Sequence, residues 1–351
     1  MIGIVGGGLA AAKLVEGYRE AGGTDAITIW SRDDHPPYHR PPLSKRLLRG
    51  EAERDDALVH PEDWYAENGV ELHLDYVIDS FDEIHADTIV LATGARPRDL
   101  PGARSFRTLD DSLALREAAK GAETAVVIGG GFIGCEIAAS LTHRGVKVTQ
   151  VVREPMLFPS LQAPPLSDSL RDLYLERGVD LRLGSTEVPQ ADIIVAGIGV
   201  VPNVELAVAA GIQVRDGIVV DERFATDRDG FYAIGDVAEF YDPVFHRYRR
   251  IEHWSNAAYH GTTLGKILAG EDERYDVVSA FFSEEFGRTF RLLGDLTGHD
   301  STSLEGDFAE GEAIFRFLRG SALVAAVVTG QDDETEAQLK DEIRAGAATL
   351  R

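Results

Sequence analysis

Apolar and polar positions along this chain follow two rhythms, and glycine marks each change from one to the other. "IGIVGGGLAAAKLVEGYREAGG" opens on a short apolar run, breaks on Gly6-Gly7-Gly8, and resumes with apolar residues at helical spacing up to a glycine stop. That pattern predicts a buried strand, a tight turn and an amphipathic helix, with "ITIW" as the next strand. The same order returns in "AVVIGGGFIGCEIAASLTHRG" followed by "VKVTQVV", so an imperfect duplication is written into the chain. Between the copies "DTIVLATGARPRDLPG" reads as a buried strand ending in Ala92-Thr93-Gly94. "ADIIVAGIGVVPN", with Gly197-Ile198-Gly199, and "GFYAIGDVAEF", with Gly235-Asp236, follow the second copy. From about Tyr275 the style changes: short strand candidates "RTFRLLGD", "AIFRFL" and "ALVAAVV" precede a helix over 333–345.

The architecture this predicts is α/β, with two Rossmann-like dinucleotide-binding domains and a small C-terminal α+β domain. The expected divisions are residues 1–104 with 225–274, residues 105–224, and residues 275–351. In each unit the first glycine makes the tight turn, and the next lets a pyrophosphate approach the backbone. The helix N-terminus then offers free N–H groups to the phosphates. The first loop has Ala11 where the third glycine is usual; the second has Gly129, Gly131 and Gly134 in full, with Ile133 between the last two. The ribose is read at the end of the following strand, where an acid binds the 2′-hydroxyl and an arginine tolerates a 2′-phosphate. The second unit ends Val151-Val152-Arg153, which inclines it toward NADPH. The first ends Trp30-Ser31-Arg32-Asp33, so either Asp33 takes the ribose or Arg32 lies along the adenosine.

Composition narrows the classes. A net charge of -24 over 351 residues argues against nucleic acid, which needs a basic face. No apolar run reaches the roughly 18 residues of a membrane span. Met1 leads directly into the first strand, leaving no room for a signal peptide, and a cytoplasmic protein is expected. One cysteine, Cys135, excludes an intrachain disulfide. The stretch "PPYHRPPLSK", four prolines in ten residues, cannot run through a helix or central strand, yet it delivers Lys45 on a stiffened loop.

These motifs in this order resemble the two-dinucleotide flavoprotein reductases. Within them "RPPLSK", "GFIGCE", "GIVVDE" and "RIEHWSNA" resemble the ferredoxin-reductase branch, the NAD(P)H-dependent flavoproteins that serve oxygenase systems. The resemblance implies FAD on the first unit, with Gly6, Gly8, Leu9, Ala10, Arg32 or Asp33, and Val77 along it. It extends that contact to Arg40, Ala92, Thr93, Gly94, Arg107, Gly235, His253 and Trp254. Asp236 would accept from the ribityl chain, and Lys45 would reach the flavin near N5. The nicotinamide nucleotide would take Gly129, Gly131, Ile133, Gly134, Arg153, Gly197, Ile198 and Gly199. Glu136 would meet the carboxamide and pair with Lys45 when no pyridine is bound.

Two departures matter. Relatives that reduce disulfides need a cysteine beside the flavin, and here the corresponding stretch is "RPPLSK". Phe282 stands where many redoxin reductases have tryptophan. The leading expectation is hydride transfer from NAD(P)H to FAD, then single electrons to a ferredoxin-type iron–sulfur carrier. An acidic carrier would need a local basic rim, for which Arg40, Lys45, Arg46, Arg49, Arg247, Arg249 and Arg250 are candidates. The rivals are a diaphorase acting on quinones or oxygen, and a redox-sensing NAD(P)H-binding protein resembling apoptosis-inducing factors. Monomer and homodimer are both compatible with the sequence.

Overall fold

Strand Ile2–Val5 is apolar along its whole length and buried along its whole length, as a strand covered on both faces must be. In the computed structural model, which describes residues 1–350, it is the middle of a five-stranded parallel sheet. The spatial order is Phe231–Ala233, Thr88–Leu91, Ile2–Val5, Ile27–Trp30, Val70–His73. The register sets Ile4 between Ile29 and Val90, all three with no exposed surface. Full burial of each such side chain contributes about 1.5–3 kcal/mol. Helix Leu9–Glu20 follows the first glycine turn and packs against helix Trp254–Leu268. That contact is backbone on backbone: a Cβ on Gly261 would meet the Ala10 carbonyl at 2.3 Å, and one on Gly265 the Leu14 carbonyl at 2.4 Å. These elements belong to one compact unit, Met1–His39, Asp55–Arg96 and Val201–Val277.

The second unit comprises Arg40–Arg54, Pro97–Val200 and Val278–Arg351. Its parallel sheet has the order Asp180–Leu183, Lys147–Val152, Thr124–Ile128, Ile193–Ala196. Helix Phe132–His143 opens directly from Gly131. The same unit holds an antiparallel five-stranded sheet, ordered Ala280–Glu285, Arg288–Gly294, Ala322–Thr329, Glu312–Arg319, Ser301–Asp307. Central strand Ala322–Thr329 is buried throughout, while Glu312–Arg319 alternates, turning Ala313, Phe315 and Phe317 inward. Helix Asp333–Ala348 packs on the central strand and extends three residues past the expected end.

The expected α/β architecture with an antiparallel C-terminal sheet is therefore present. Strands Ala280–Glu285 and Ser301–Asp307 carried no clear signal, the latter because "STSLEGD" is polar and mostly exposed. The proline-rich stretch becomes a loop clamped by side chains. Residues Leu43–Leu47 form a single π-type turn kinked at Lys45. Ser112 donates to the Leu43 carbonyl at 2.7 Å and Ser140 to the Ser44 carbonyl at 2.6 Å. Arg144 reaches the Leu48 carbonyl at 3.2 Å.

Candidate functional site

Two glycine turns are the candidate nucleotide sites. At the first, Gly6 has φ +111°, and a Cβ there would lie 2.2 Å from the Ala92 carbonyl oxygen, so only glycine fits. At the second, Gly129 has φ +119° and sits equally close to the Gly197 carbonyl. The next glycine of each loop is different: a Cβ on Gly8 or Gly131 would meet nothing within 4 Å. Both are the N-caps of their helices, and neither helix has a side chain capping its first N–H groups. A bare helix end with open space above it is what a pyrophosphate requires. The residues present fit two dinucleotides.

In the first unit the second glycine–acid turn, Gly235–Val237, lies beside the first helix, with Ala10 Cβ 3.2 Å from where a Gly235 Cβ would sit. The Gly235 N–H donates to His260 Nδ1 at 3.2 Å, so the buried His260 is an acceptor and neutral. Burial pushes its imidazole down to about 3 and that of His253 to about 4, with the Asp236 charge pulling each upward. Trp254 is 39% exposed and donates to His39 Nδ1 at 2.8 Å. Thr93 and Asn203 exchange hydrogen bonds, Thr93 Oγ1 to the Asn203 carbonyl at 2.7 Å and Asn203 Nδ2 to the Thr93 carbonyl at 2.8 Å. Both Asp33 oxygens are engaged locally, one by Tyr38 Oη at 2.7 Å and one by the His35 N–H at 3.2 Å. Arg32, by contrast, is exposed, as is Val77.

In the second unit Lys45 and Glu136 meet. Lys45 Nζ is 2.6 Å from Glu136 Oε1, with side chains only 6% and 4% exposed. Ser44 donates to Glu136 Oε2 at 2.5 Å, and Ser283 Oγ lies 2.7 Å from Glu136 Oε1. Lys45 Nζ also stands 5.4 Å from the centre of the Phe282 ring, which is 40% exposed. Arg40 donates to the Arg107 carbonyl at 2.5 Å, and the Arg107 and Thr108 N–H groups are held by Asp111 at 2.9 Å. Cys135 is fully buried, and burial foremost, then the Glu285 charge, pushes its thiol far above the usual range. The one cysteine of the chain therefore offers no exposed thiol to a substrate disulfide.

Several of the cations expected to form a basic rim are engaged by neighbouring groups, while Arg247 is exposed. Arg249 is tied to the buried Asp242 at 2.8 Å, and Arg250 to Asp216 and Glu252. Arg49 binds Glu51 and Glu284 at 2.9 Å each, and Lys45 is buried. Arg46 remains exposed. Arg153, 80% exposed, is forked onto Glu154 at 2.7 and 3.1 Å, an acid one residue past the stretch read for ribose recognition. Sequence reasoning also passed over Ser44, Ser283, Glu285 and His260. Ser44 lay inside the quoted loop, and Ser283 and Glu285 inside "FFSEEF", but contacts across 92 and 147 residues leave no local signature.

Residues 2–261 match the family model described as pyridine nucleotide-disulphide oxidoreductase. The chain belongs to that family. It is an FAD-dependent NAD(P)H oxidoreductase of the ferredoxin-reductase kind, and members of the family use FAD and NAD(H). This oxidoreductase is 31% identical to putidaredoxin reductase of Pseudomonas putida over 366 residues, covering 92% of this chain and 86% of that protein. It is 29% identical to rubredoxin-NAD(+) reductase of Ectopseudomonas oleovorans, covering 85% and 87%. Its fold superposes on the reductase of the covalent putidaredoxin reductase–putidaredoxin complex with a TM-score of 0.91 at 30% identity, covering 97% and 93%. Among the described residues no helix is long and apolar enough to cross a membrane.

Proposed function

We propose that this oxidoreductase takes a hydride from NAD(P)H and passes single electrons to a ferredoxin-type iron–sulfur carrier. The observation that carries this reading is a buried charge pair, Lys45–Glu136, in the second compact unit of a chain whose lone thiol is buried. FAD, when bound, supplies the conversion of a two-electron donor into one-electron steps. The likeness to reductases named for putidaredoxin and rubredoxin supports a small iron–sulfur partner.

The chain's own residues bind and orient. The Gly8 and Gly131 helix ends would hold the two pyrophosphates, with Asp236 toward the flavin's ribityl hydroxyls. Glu136 would accept from the nicotinamide carboxamide, its carboxylate oriented by Lys45 and by the Ser44 hydroxyl. Lys45, released from Glu136, would offer its positive charge to the flavin ring near N5, and Arg107 would contact the same cofactor. In this reading the domains are a discontinuous FAD domain of residues 1–104 and 225–274, a nicotinamide domain of 105–224 and a C-terminal domain of 275–351, although the loop 40–54 groups with the second compact unit and 201–224 with the first. A cytoplasmic setting belongs to it, supported by the single, unpaired Cys135.

Coenzyme choice follows from Arg153. Its guanidinium is the only basic group that the second strand presents at its end, and a 2′-phosphate would take it over from Glu154, favouring NADPH. Anaerobic absorbance titration of the yellow protein with NADH and NADPH tests both parts. The flavin band is expected to bleach stoichiometrically, with reoxidation by an added ferredoxin-type protein. Arg153→Glu is expected to weaken NADPH use at least tenfold more than NADH use. A colourless protein that refuses flavin, or turnover with quinone and no iron–sulfur protein, overturns the function; equal losses for both coenzymes remove Arg153 from the site.

A further inference from the structure

Behind the Lys45–Glu136 pair lies a second carboxyl group for which the reaction described so far has no use. Glu285 ends strand Ala280–Glu285 and has no exposed surface. Its Oε1 lies 2.6 Å from Ser283 Oγ, which is itself 2.7 Å from Glu136 Oε1. Its Oε2 is buried without a hydrogen-bond partner. The ionisable groups around it are Glu136 and Cys135 on helix Phe132–His143, Lys45 on the loop, Tyr174 on helix Pro164–Glu176, and Glu284 beside it.

Counting protons decides the state of this cluster. A serine hydroxyl has one proton, so Ser283 donates to only one of the two carboxyl groups it touches. Glu136 already holds Lys45 at 2.6 Å and accepts from Ser44, as a carboxylate does. If Ser283 donates to Glu136, its contact with Glu285 at 2.6 Å requires the proton to come from Glu285. If it donated to an ionised Glu285, its lone pair would face the Glu136 carboxylate, and two buried charges would share one lysine. A buried carboxylate with one bare oxygen is also the costlier arrangement.

We propose that Glu285 is a neutral carboxylic acid that donates through Ser283 to Glu136 and so acts as a positioning residue for the Lys45–Glu136 pair. The chain of donors runs Glu285 O–H to Ser283 Oγ, and Ser283 O–H to Glu136 Oε1. It turns Ser283 toward the carboxylate that faces the nicotinamide side, and this last assignment rests on the function proposed above. Burial first, and the Glu136 charge second, hold the Glu285 carboxyl well above the usual carboxylate range, which agrees with the geometry. Loss of the proton would swing Ser283 back to Glu285 and leave Glu136 one donor short.

The test compares wild type, Glu285→Gln and Glu285→Leu as flavin-loaded proteins. Glutamine keeps a donor for Ser283 without a titrating group; leucine removes the donor. Infrared difference spectra at neutral pH are expected to show a protonated carboxyl C=O band in wild type that is absent in Glu285→Gln. Folding takes up this proton, so wild type loses stability relative to Glu285→Gln by about tenfold in the folding equilibrium per pH unit from about pH 4 toward the folded-state value. No lost carboxyl band, or stability curves that stay parallel, overturns the protonation. Neither readout depends on any carrier being reduced, so they stand apart from the proposed function. The KM for the nicotinamide coenzyme should rise severalfold in Glu285→Leu, with kcat nearly unchanged, and stay at the wild-type value in Glu285→Gln. Equal defects in both variants overturn the positioning role.

Discussion

Lys45→Met tests how much of the second unit hangs on one buried charge pair. The substitution keeps the length and most of the volume of the side chain and deletes only the ammonium. It strands Glu136, 4% exposed, beside a second carboxyl group. Removing one partner of a buried ion pair costs about 3–5 kcal/mol, and the Ser44 and Ser283 hydroxyls still solvate Glu136, so about 3 kcal/mol is expected. Glu136→Gln leaves the buried Lys45 ammonium without its counter-charge, with neutral partners such as the Pro41 carbonyl at 3.4 Å, and should cost a similar amount. In the double variant neither charge remains to be stranded, and the total should fall short of the sum by about 2 kcal/mol. Tryptophan emission is a poor probe here, because Trp30, Trp64 and Trp254 all lie in the other unit. Native-state hydrogen exchange of helix Phe132–His143 and of loop 40–54 reads the opening free energy where the pair acts. Costs that add to within about 0.5 kcal/mol would show that Lys45 and Glu136 are neighbours without energetic coupling, and the reasoning would fail.

Two further outcomes follow from the first unit. His260 is neutral in the fold, with its imidazole pushed down to about 3, and protonates freely when unfolded. Its contribution is present above about pH 6.5 and is lost as pH falls below that, at up to about 1.4 kcal/mol per pH unit. Urea melts of His260→Gln, which keeps an acceptor for the Gly235 N–H, should show that slope missing between pH 6 and 4; an unchanged slope would refute it. Gly8→Ala and Gly6→Ala should separate binding from folding. Gly8 has φ -90° and open space, so its variant should keep stability within about 1 kcal/mol while losing flavin on gel filtration. Gly6→Ala should fail to fold, because the Ala92 carbonyl occupies the place of the methyl group. Retained flavin in the first variant would remove Gly8 from the cofactor's path.

What could be read in advance was whatever depends on local chain geometry. The apolar runs at Ile2–Val5, Thr88–Leu91 and Thr124–Ile128 could only be covered strands, and Gly6 and Gly129 stood where the backbone must enter the left-handed region. Lys45 and Glu136 were reached through resemblance, since nothing in their own neighbourhoods requires them to touch across 91 residues. The rest was lost to pairings between distant side chains. Asp33 reads as a free acid until Tyr38 folds back on it, and Arg249 reads as surface charge until the hairpin Ala238–Asp242 and Arg247–Arg250 seats it on Asp242. Glu285 sits in an ordinary-looking acidic pair, yet the strand's alternation sends Glu284 to Arg49 and Glu285 inward. Strand parity hides one and displays the other, and parity is legible only when the strand itself is recognised.

The glycine-lined seam between helix Leu9–Glu20 and helix Trp254–Leu268 has a mechanical effect. With no side chain between the two backbones at Gly261 and Gly265, these rods lie as close as their main chains allow. One rod begins at the Gly6–Gly8 turn; the other carries His260, which accepts from the Gly235 N–H. The two turns that would hold opposite halves of one cofactor are thus joined through a seam of direct backbone contact, which would set their spacing like the jaws of a calliper.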